Sequence, residues 1–327
     1  MKRTLLASQG LTDRCATTGA LLLLAALVSG HACAERKYSD WGPPVNLGCG
    51  TINSASDDQG PAVSKDGLSL YFGSDRASPD ASGGRDLYVA RRASVDEPWG
   101  MPRNLGPTVN SPGIDNIPSF SRDGHWMFFN SDRTGGVGDV DLWASYRAHV
   151  HDDFAWEAPF NLGLGVNTAG FDGAPSYFEN EEGGSPLLFY SSGPSLATSD
   201  IWVSELQPDG TFGNAQLVAE LSSPQADQRP SIRFDGLEIF FFSNRAGSTP
   251  NAMGVPSSDI WVATRKSVHE SWGTPINLGP IVNTPFNEIN PHISADGQTL
   301  YFSSNRPTGC GGNDVYMTTR IKLKGKD

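Results

Sequence analysis

Five carboxylates recur at one place in a repeating pattern, each three residues before a proline. They are Asp58 before Pro61, Asp115 before Pro118, Asp172 before Pro175, Asp227 before Pro230 and Glu288 before Pro291. Gathered into a ring they would repel one another unless protonated or neutralised, which suits a cation such as calcium. Taken in pairs they could act as acid and base on a glycosidic bond. On that reading Asp172, Asp227, Glu288 and His292 are the candidate catalytic groups. Ser231, His292 and Glu288 are also the parts of a hydrolase triad, but no nucleophile-elbow motif accompanies them. The competing reading is local: an Asp side chain commonly caps the turn that leads into a strand. Presence in every copy favours capping. The candidate ligand-binding set is therefore the five acids together with His292, Arg229 and Arg233, the last three belonging to single copies.

The elements that position these residues follow from the repeat itself. An aromatic residue recurs at Trp41, Trp99, Trp156, Phe212 and Trp272. An Asn-Leu-Gly step follows it at Asn46-Leu47-Gly48, Asn104-Leu105-Gly106, Asn161-Leu162-Gly163 and Asn277-Leu278-Gly279, and becomes Gln216-Leu217-Val218 in copy three. After the acid and the proline comes a short apolar segment. Asp-Gly turns close it at Asp66-Gly67, Asp123-Gly124, Asp235-Gly236 and Asp296-Gly297, a strong hairpin signal because glycine accepts positive φ. Copy three has the longer run Asn180-Glu181-Glu182-Gly183-Gly184 instead. A second strand reads Leu70-Tyr71-Phe72 in the first copy. A third opens at Asp86-Leu87-Tyr88, Asp141-Leu142-Trp143, Asp200-Ile201-Trp202, Asp259-Ile260-Trp261 and Asp314-Val315-Tyr316. Arg76, Arg133, Arg245 and Arg306 are expected to pair with Asp86, Asp141, Asp259 and Asp314. Four short strands per repeat without helical periodicity describe a propeller blade.

The expected fold is all-β, a five-bladed β-propeller of four-stranded antiparallel blades. The blades span 58–106, 115–163, 172–218, 227–279 and 288–322, with residues 38–48 supplying the fourth strand of the last and closing the ring. The pattern Pro-x-x-Ser-x-Asp-Gly, Leu-Tyr-Phe-x-Ser-(Asp/Asn)-Arg, Asp-(Leu/Ile)-(Tyr/Trp) resembles the WD40-like repeat of the TolB propeller family over residues 41–320. Cys49 follows the N-terminal strand and Cys310 precedes the third strand of the last blade, so closure places the two together as a disulfide. The blade-four loop after Arg245, with Pro250, Met253, Val255 and Pro256, is longer than its sisters. It is the expected partner surface, since recognition favours variable loops on a rigid ring.

A net charge of −12 opposes nucleic acid and anionic membrane surfaces as partners. Lys2, Arg3 and Arg14, an apolar run from Ala16 to Val28 and Ala32-Cys33-Ala34 have the form of a signal peptide over residues 1–34, with residues 35–327 as one domain. Acylation of Cys33 is the less favoured alternative. The expected protein is a periplasmic or secreted monomer without cofactor or membrane span. Its expected role is a non-catalytic binding or scaffold module that recognises a protein or glycan through the top-face loops and channel mouth. A carbohydrate-active hydrolase or lyase using the channel-mouth carboxylates is the alternative.

Overall fold

A computed structural model describes residues 37–180 and 183–323; the signal peptide expected over residues 1–34 lies outside them. Twenty strands form five four-stranded antiparallel sheets, as expected. Blade one comprises β2 (Asp58–Val63), β3 (Ser69–Ser74), β4 (Asp86–Arg91) and β5 (Arg103–Asn104). Blade two comprises β6 (Asp115–Phe120), β7 (Trp126–Ser131), β8 (Asp141–Tyr146) and β9 (Phe160–Asn161). Blade three comprises β10 (Phe171–Phe178), β11 (Leu187–Gly193), β12 (Asp200–Leu206) and β13 (Phe212–Leu217). Blade four comprises β14 (Asp227–Ile232), β15 (Glu238–Ser243), β16 (Asp259–Thr264) and β17 (Ile276–Asn277). In blade five, β18 (Glu288–Ile293), β19 (Thr299–Ser304) and β20 (Asp314–Thr319) accept β1 (Val45–Asn46) from the far end of the chain.

Val45 pairs with Met317 and Asn46 with Tyr316, so the chain's beginning and end complete one sheet. Cys49 and Cys310 are disulfide-bonded beside this seam, with Cα atoms 5.4 Å apart. The four expected glycine turns are present, with φ of 70–77° at Gly67, Gly124, Gly236 and Gly297. Inter-blade packing is aromatic: Tyr71, Phe72, Phe129, Tyr190, Phe240, Phe241 and Phe302 are fully buried between sheets.

The repeated charges obey a rule different from the expected one. Arg76 pairs with Asp58, Arg133 with Asp115, Arg245 with Asp227 and Arg306 with Glu288. The partner is thus the acid that opens the first strand, not the Asp that opens the third. Antiparallel pairing explains it, because Asp58 stands opposite Ser74 at the end of β3 and Arg76 lies just beyond. The third-strand acids bind the strand-four asparagines instead. Asn46 donates to Asp314 at 2.9 Å, Asn104 to Asp86 at 2.7 Å, Asn161 to Asp141 at 2.9 Å and Asn277 to Asp259 at 2.7 Å.

The disulfide joins residues 261 apart in sequence, so by loop entropy it stabilises by up to ~5 kcal/mol. Cys49→Ser should therefore lower the thermal midpoint of residues 35–327 under non-reducing conditions. Reductant should depress the wild type toward the variant and leave the variant unmoved.

Candidate active site

The first strand of every blade lines the central channel, and each carries a bulge. Gly60, Ile117, Ala174, Arg229 and Asn290 all sit at φ between 54° and 67°. For the four non-glycine residues this left-handed backbone costs roughly 1–3 kcal/mol each. Two positions further on, channel side chains link the blades around the ring. Ser119 Oγ accepts from Tyr177 N–H (3.3 Å), Ser176 Oγ from Ile232 N–H (3.1 Å) and Ser231 Oγ from Ile293 N–H (3.0 Å). His292 Nε2 accepts from Val63 N–H at 3.0 Å, linking the last blade to the first. Ser231 and His292 therefore face successive blades instead of forming a nucleophile–base pair. Burial holds the imidazole neutral, its pKa lowered to about 4.

The five acids do not line the channel cavity. Asp58 Oδ2 accepts from Ser54 N–H and Oγ–H, and its other oxygen accepts from Ser74 and Arg76. Asp115 and Glu288 repeat the arrangement with Ser111 and Thr284, and Asp227 accepts from Ser223 N–H and Arg245. Each side chain is turned onto its own blade. Among the described residues no three His, Cys, Asp or Glu side chains converge as a metal site would require. Asp172 departs from the rule. Pro194, two after Ser192, stands where the sister blades have the arginine, and Asp172 Oδ1 has no hydrogen-bond partner although the residue is fully buried. Burial raises its pKa.

Of the two arginines singled out, Arg233 is held by Asp235 (2.6 Å) and Glu238 (2.9 Å). Arg229 lines the channel, and its Nε and Nη1 are buried without partners. Burial and repulsion from Arg85 lower its pKa to about 9. The blade-four loop projects Met253 and Val255 into solvent, 83% and 53% exposed, pinned by bonds from both backbone amides to Asn251 Oδ1.

The channel runs from the bulge residues to the strand-one-to-two turns, reaching Lys65, Ser121 and Phe234, on the side away from the acids. It holds a cavity of about 60 Å³. At roughly 10–15 Å³ per water that is space for a handful of solvent molecules and not for a sugar ring. A ligand of sugar size would therefore have to bind at the mouth. There, one position just after the first strand carries a different residue in every blade: Lys65, Arg122, Glu179, Phe234 and Ala295. Glu179 lines an adjoining pocket with Phe120, Arg122, Tyr177, Phe178, Ile232 and Phe234. It is the one acid among the residues lining the channel cavity and this pocket. Burial and the charge of Asp123 raise its pKa, against the pull of Arg122 and Lys65. Burial would raise Asp123 too, but bonds from Ser121 Oγ–H (2.6 Å) and His125 N–H (3.0 Å) outweigh it and lower its pKa. Sequence reasoning missed this set. The signal was available, since residues that break the repeat are the better functional candidates, but it was applied to the strand and not to the turn beyond.

No protein-family model matches the sequence, and no curated protein matches it significantly. Solved structures match over most of the chain. The catalytic domain of a GH62 α-L-arabinofuranosidase from Coprinopsis cinerea is 10% identical with a TM-score of 0.54, covering 87% of this chain and 98% of that one. An α-L-arabinofuranosidase from Lactobacillus brevis is 13% identical with a TM-score of 0.55, covering 82% and 92%. An exo-β-1,3-galactanase from Phanerochaete chrysosporium is 14% identical with a TM-score of 0.53, covering 86% and 64%. A putative TolB from Agrobacterium tumefaciens superposes at only 0.44. What the chain shares with the three glycosidases is the five-bladed fold. The expectation of a non-catalytic binding module is corrected here. It leaned on the lack of a familiar catalytic motif, and most of these neighbours are glycoside hydrolases at 10–15% identity, a distance at which motif absence excludes nothing.

Two outcomes test the channel. Because the folded pKa of His292 lies below its unfolded value of 6.5, its contribution to stability is intact above pH 6.5 and declines as pH falls toward 4. Urea midpoints should drop more steeply over that window in the wild type than in His292→Gln. Arg229→Met removes a partly buried charge, two of whose nitrogens are buried without partners. It should gain about 1–3 kcal/mol, read as a higher denaturation midpoint; a lower one would show that the guanidinium is compensated.

Proposed function

We propose that this protein is a carbohydrate-active hydrolase that cleaves glycosidic bonds at the turn-side mouth of its channel. The observation that carries the reading is the position of Glu179, an acid in an aromatic pocket bordering the channel, with a second carboxylate nearby on the next blade. Glycosidases work with two carboxyl groups whose environments drive their pKa values apart, one protonated and one ionised. Glu179, raised by burial, fits the group that protonates the glycosidic oxygen as its bond to the anomeric carbon breaks. Asp123, kept ionised by two hydrogen bonds, fits the group whose charge stabilises the sugar cation or activates the incoming water. Phe234 and Tyr177 offer rings for the apolar face of a sugar, and Arg122 and Lys65 offer donors for its hydroxyls.

The similar structures are named as α-L-arabinofuranosidases, an exo-β-1,3-galactanase and a xylan β-1,4-xylosidase, and arabinofuranosyl, galactosyl and xylosyl linkages are the ones to try first. The disulfide and the signal-like N-terminus support a protein working outside the cytoplasm, and no helix among the described residues is long and apolar enough to cross a membrane.

On a panel of arabino-, galacto- and xylo-oligosaccharides, Glu179→Gln should lower turnover by roughly 100-fold or more with the fold intact, as expected for loss of a general acid. Wild-type activity should fall as pH rises through the raised pKa of Glu179. Equal turnover by wild type and variant, or none by the wild type, would refute the assignment.

A further inference from the structure

In four blades a clasp of the same design ties the end of the third strand to the recurring tryptophan and to the hairpin turn. The residue six after the third-strand Asp is an arginine, and its guanidinium lies over the recurring tryptophan. The distances are 4.2 Å for Arg92 on Trp99, 4.3 Å for Arg147 on Trp156, 4.2 Å for Arg265 on Trp272 and 4.5 Å for Arg320 on Trp41. Each arginine also donates through Nε to the carbonyl of the turn glycine: Gly67, Gly124, Gly236 and Gly297 respectively. Blade three changes all three parts. Leu206 replaces the arginine, Phe212 replaces the tryptophan, and the Asp-Gly turn gives way to Asn180–Gly184. Two shorter side chains leave a cleft of about 160 Å³ between blades two and three. Phe128 and Phe212 form its floor, and Trp126, Phe160 and Tyr177 its walls. Phe160 is 49% exposed.

We propose that this cleft is a stacking subsite for one sugar unit of an extended glycan, a reading that rests on the glycan-cleaving assignment of the neighbouring mouth. Two observations select that occupant. Tyr177 lines the cleft, the Glu179 pocket and the channel cavity, so a ligand in the cleft adjoins the mouth. The cleft is apolar inside, but its edge is the turn at Gly210, where Asp209 and Thr211 reach solvent. An apolar ring face with a hydroxylated edge meets both demands, whereas a lipid or an apolar peptide side chain would leave the polar edge unused. The volume is about half the lower bound of roughly 300 Å³ for drug-sized ligands, which fits one ring.

The test is electrophoresis through native gels containing dissolved arabinoxylan, arabinan or β-1,3-galactan. Glu179→Gln serves as the parent, so that the polysaccharide survives the run. The parent should be retarded in at least one gel. Leu206→Arg with Phe212→Trp, which restores the side chains of the sister blades, should weaken retardation at least ten-fold. Should that pair disturb folding, Phe160→Ser removes a half-exposed wall and should have the same effect. Parent-like retardation of folded, cleft-filled protein overturns the subsite while leaving the Glu179 assignment standing. Retardation abolished by filling, without turnover by the wild type, overturns the hydrolase and keeps the subsite. A parent that runs freely in every gel overturns the subsite.

Discussion

The ring depends on a buried carboxylate–guanidinium pair repeated in four of its five blades. Asp58, Asp115, Asp227 and Glu288 have side chains with no solvent exposure, and each holds an arginine at the end of the second strand. The same arginine donates to a carbonyl before the blade: Ile52, Val109, Leu221 or Val282. It is also sandwiched by two aromatic rings, such as Phe129 and Trp143 around Arg133. One charged pair thereby fixes the chain's entry to the blade, the end of its second strand and the aromatic wall toward the neighbouring sheet. Buried pairs of this kind add little net stability over apolar packing, but breaking one leaves an uncompensated charge worth about 3–5 kcal/mol. Their value lies in register, which a ring of nearly identical sheets needs most.

Blade three stands outside that discipline. It lacks the arginine beside Asp172, the arginine over the rim aromatic, the strand-four asparagine and the Asp-Gly turn. Asp172 keeps one buried oxygen without a hydrogen-bond partner among the described residues, unlike the four acids at its position in the sister blades, and burial raises its pKa and that of Asp200. The losses are physically coupled. At the register of the turn glycine blade three has Ser185, just before the Pro186 carbonyl that accepts from Leu206 N–H, and a leucine takes the place of the rim arginine. Without the arginine, the tryptophan loses its cation–π partner, and a phenylalanine suffices. The freed turn carries Glu179, and the freed seam becomes the aromatic cleft. Slack in the scaffold and candidate chemistry thus coincide in one sector.

The repeat made the fold legible, because turn glycines, entry acids and the split last blade each recur or complete one another. Cys49 and Cys310 were readable for the same reason, since their proximity follows from closure alone. The arginine partners were not readable. Arg76 is nearer in sequence to Asp86 than to Asp58, and only the register of β2 on β3 reverses that preference. Channel width was also hidden, yet width decides whether chemistry can occur beside the acids or must move to the mouth. Asp172 and Asp227 attracted attention by type and spacing, while Glu179 resembled an ordinary turn residue until burial and Asp123 were seen around it.

Closure by strand and disulfide explains why one loose blade is tolerable. An open array of sheets with weakened contacts in the middle would fray from the defect, since each repeat is held by its neighbours. Here β1 ties the last sheet to the first residues of the domain, and the Cys49–Cys310 bond locks that seam. Loosening blade three then costs local packing without freeing an end. The sealed seam lies at blade five, next to blade one, while the slack lies in blade three, so the constraint and the opening occupy well-separated sectors of the ring. A five-fold scaffold can in this way keep its geometry while one sector gives up its clasp and lines the space with aromatic side chains.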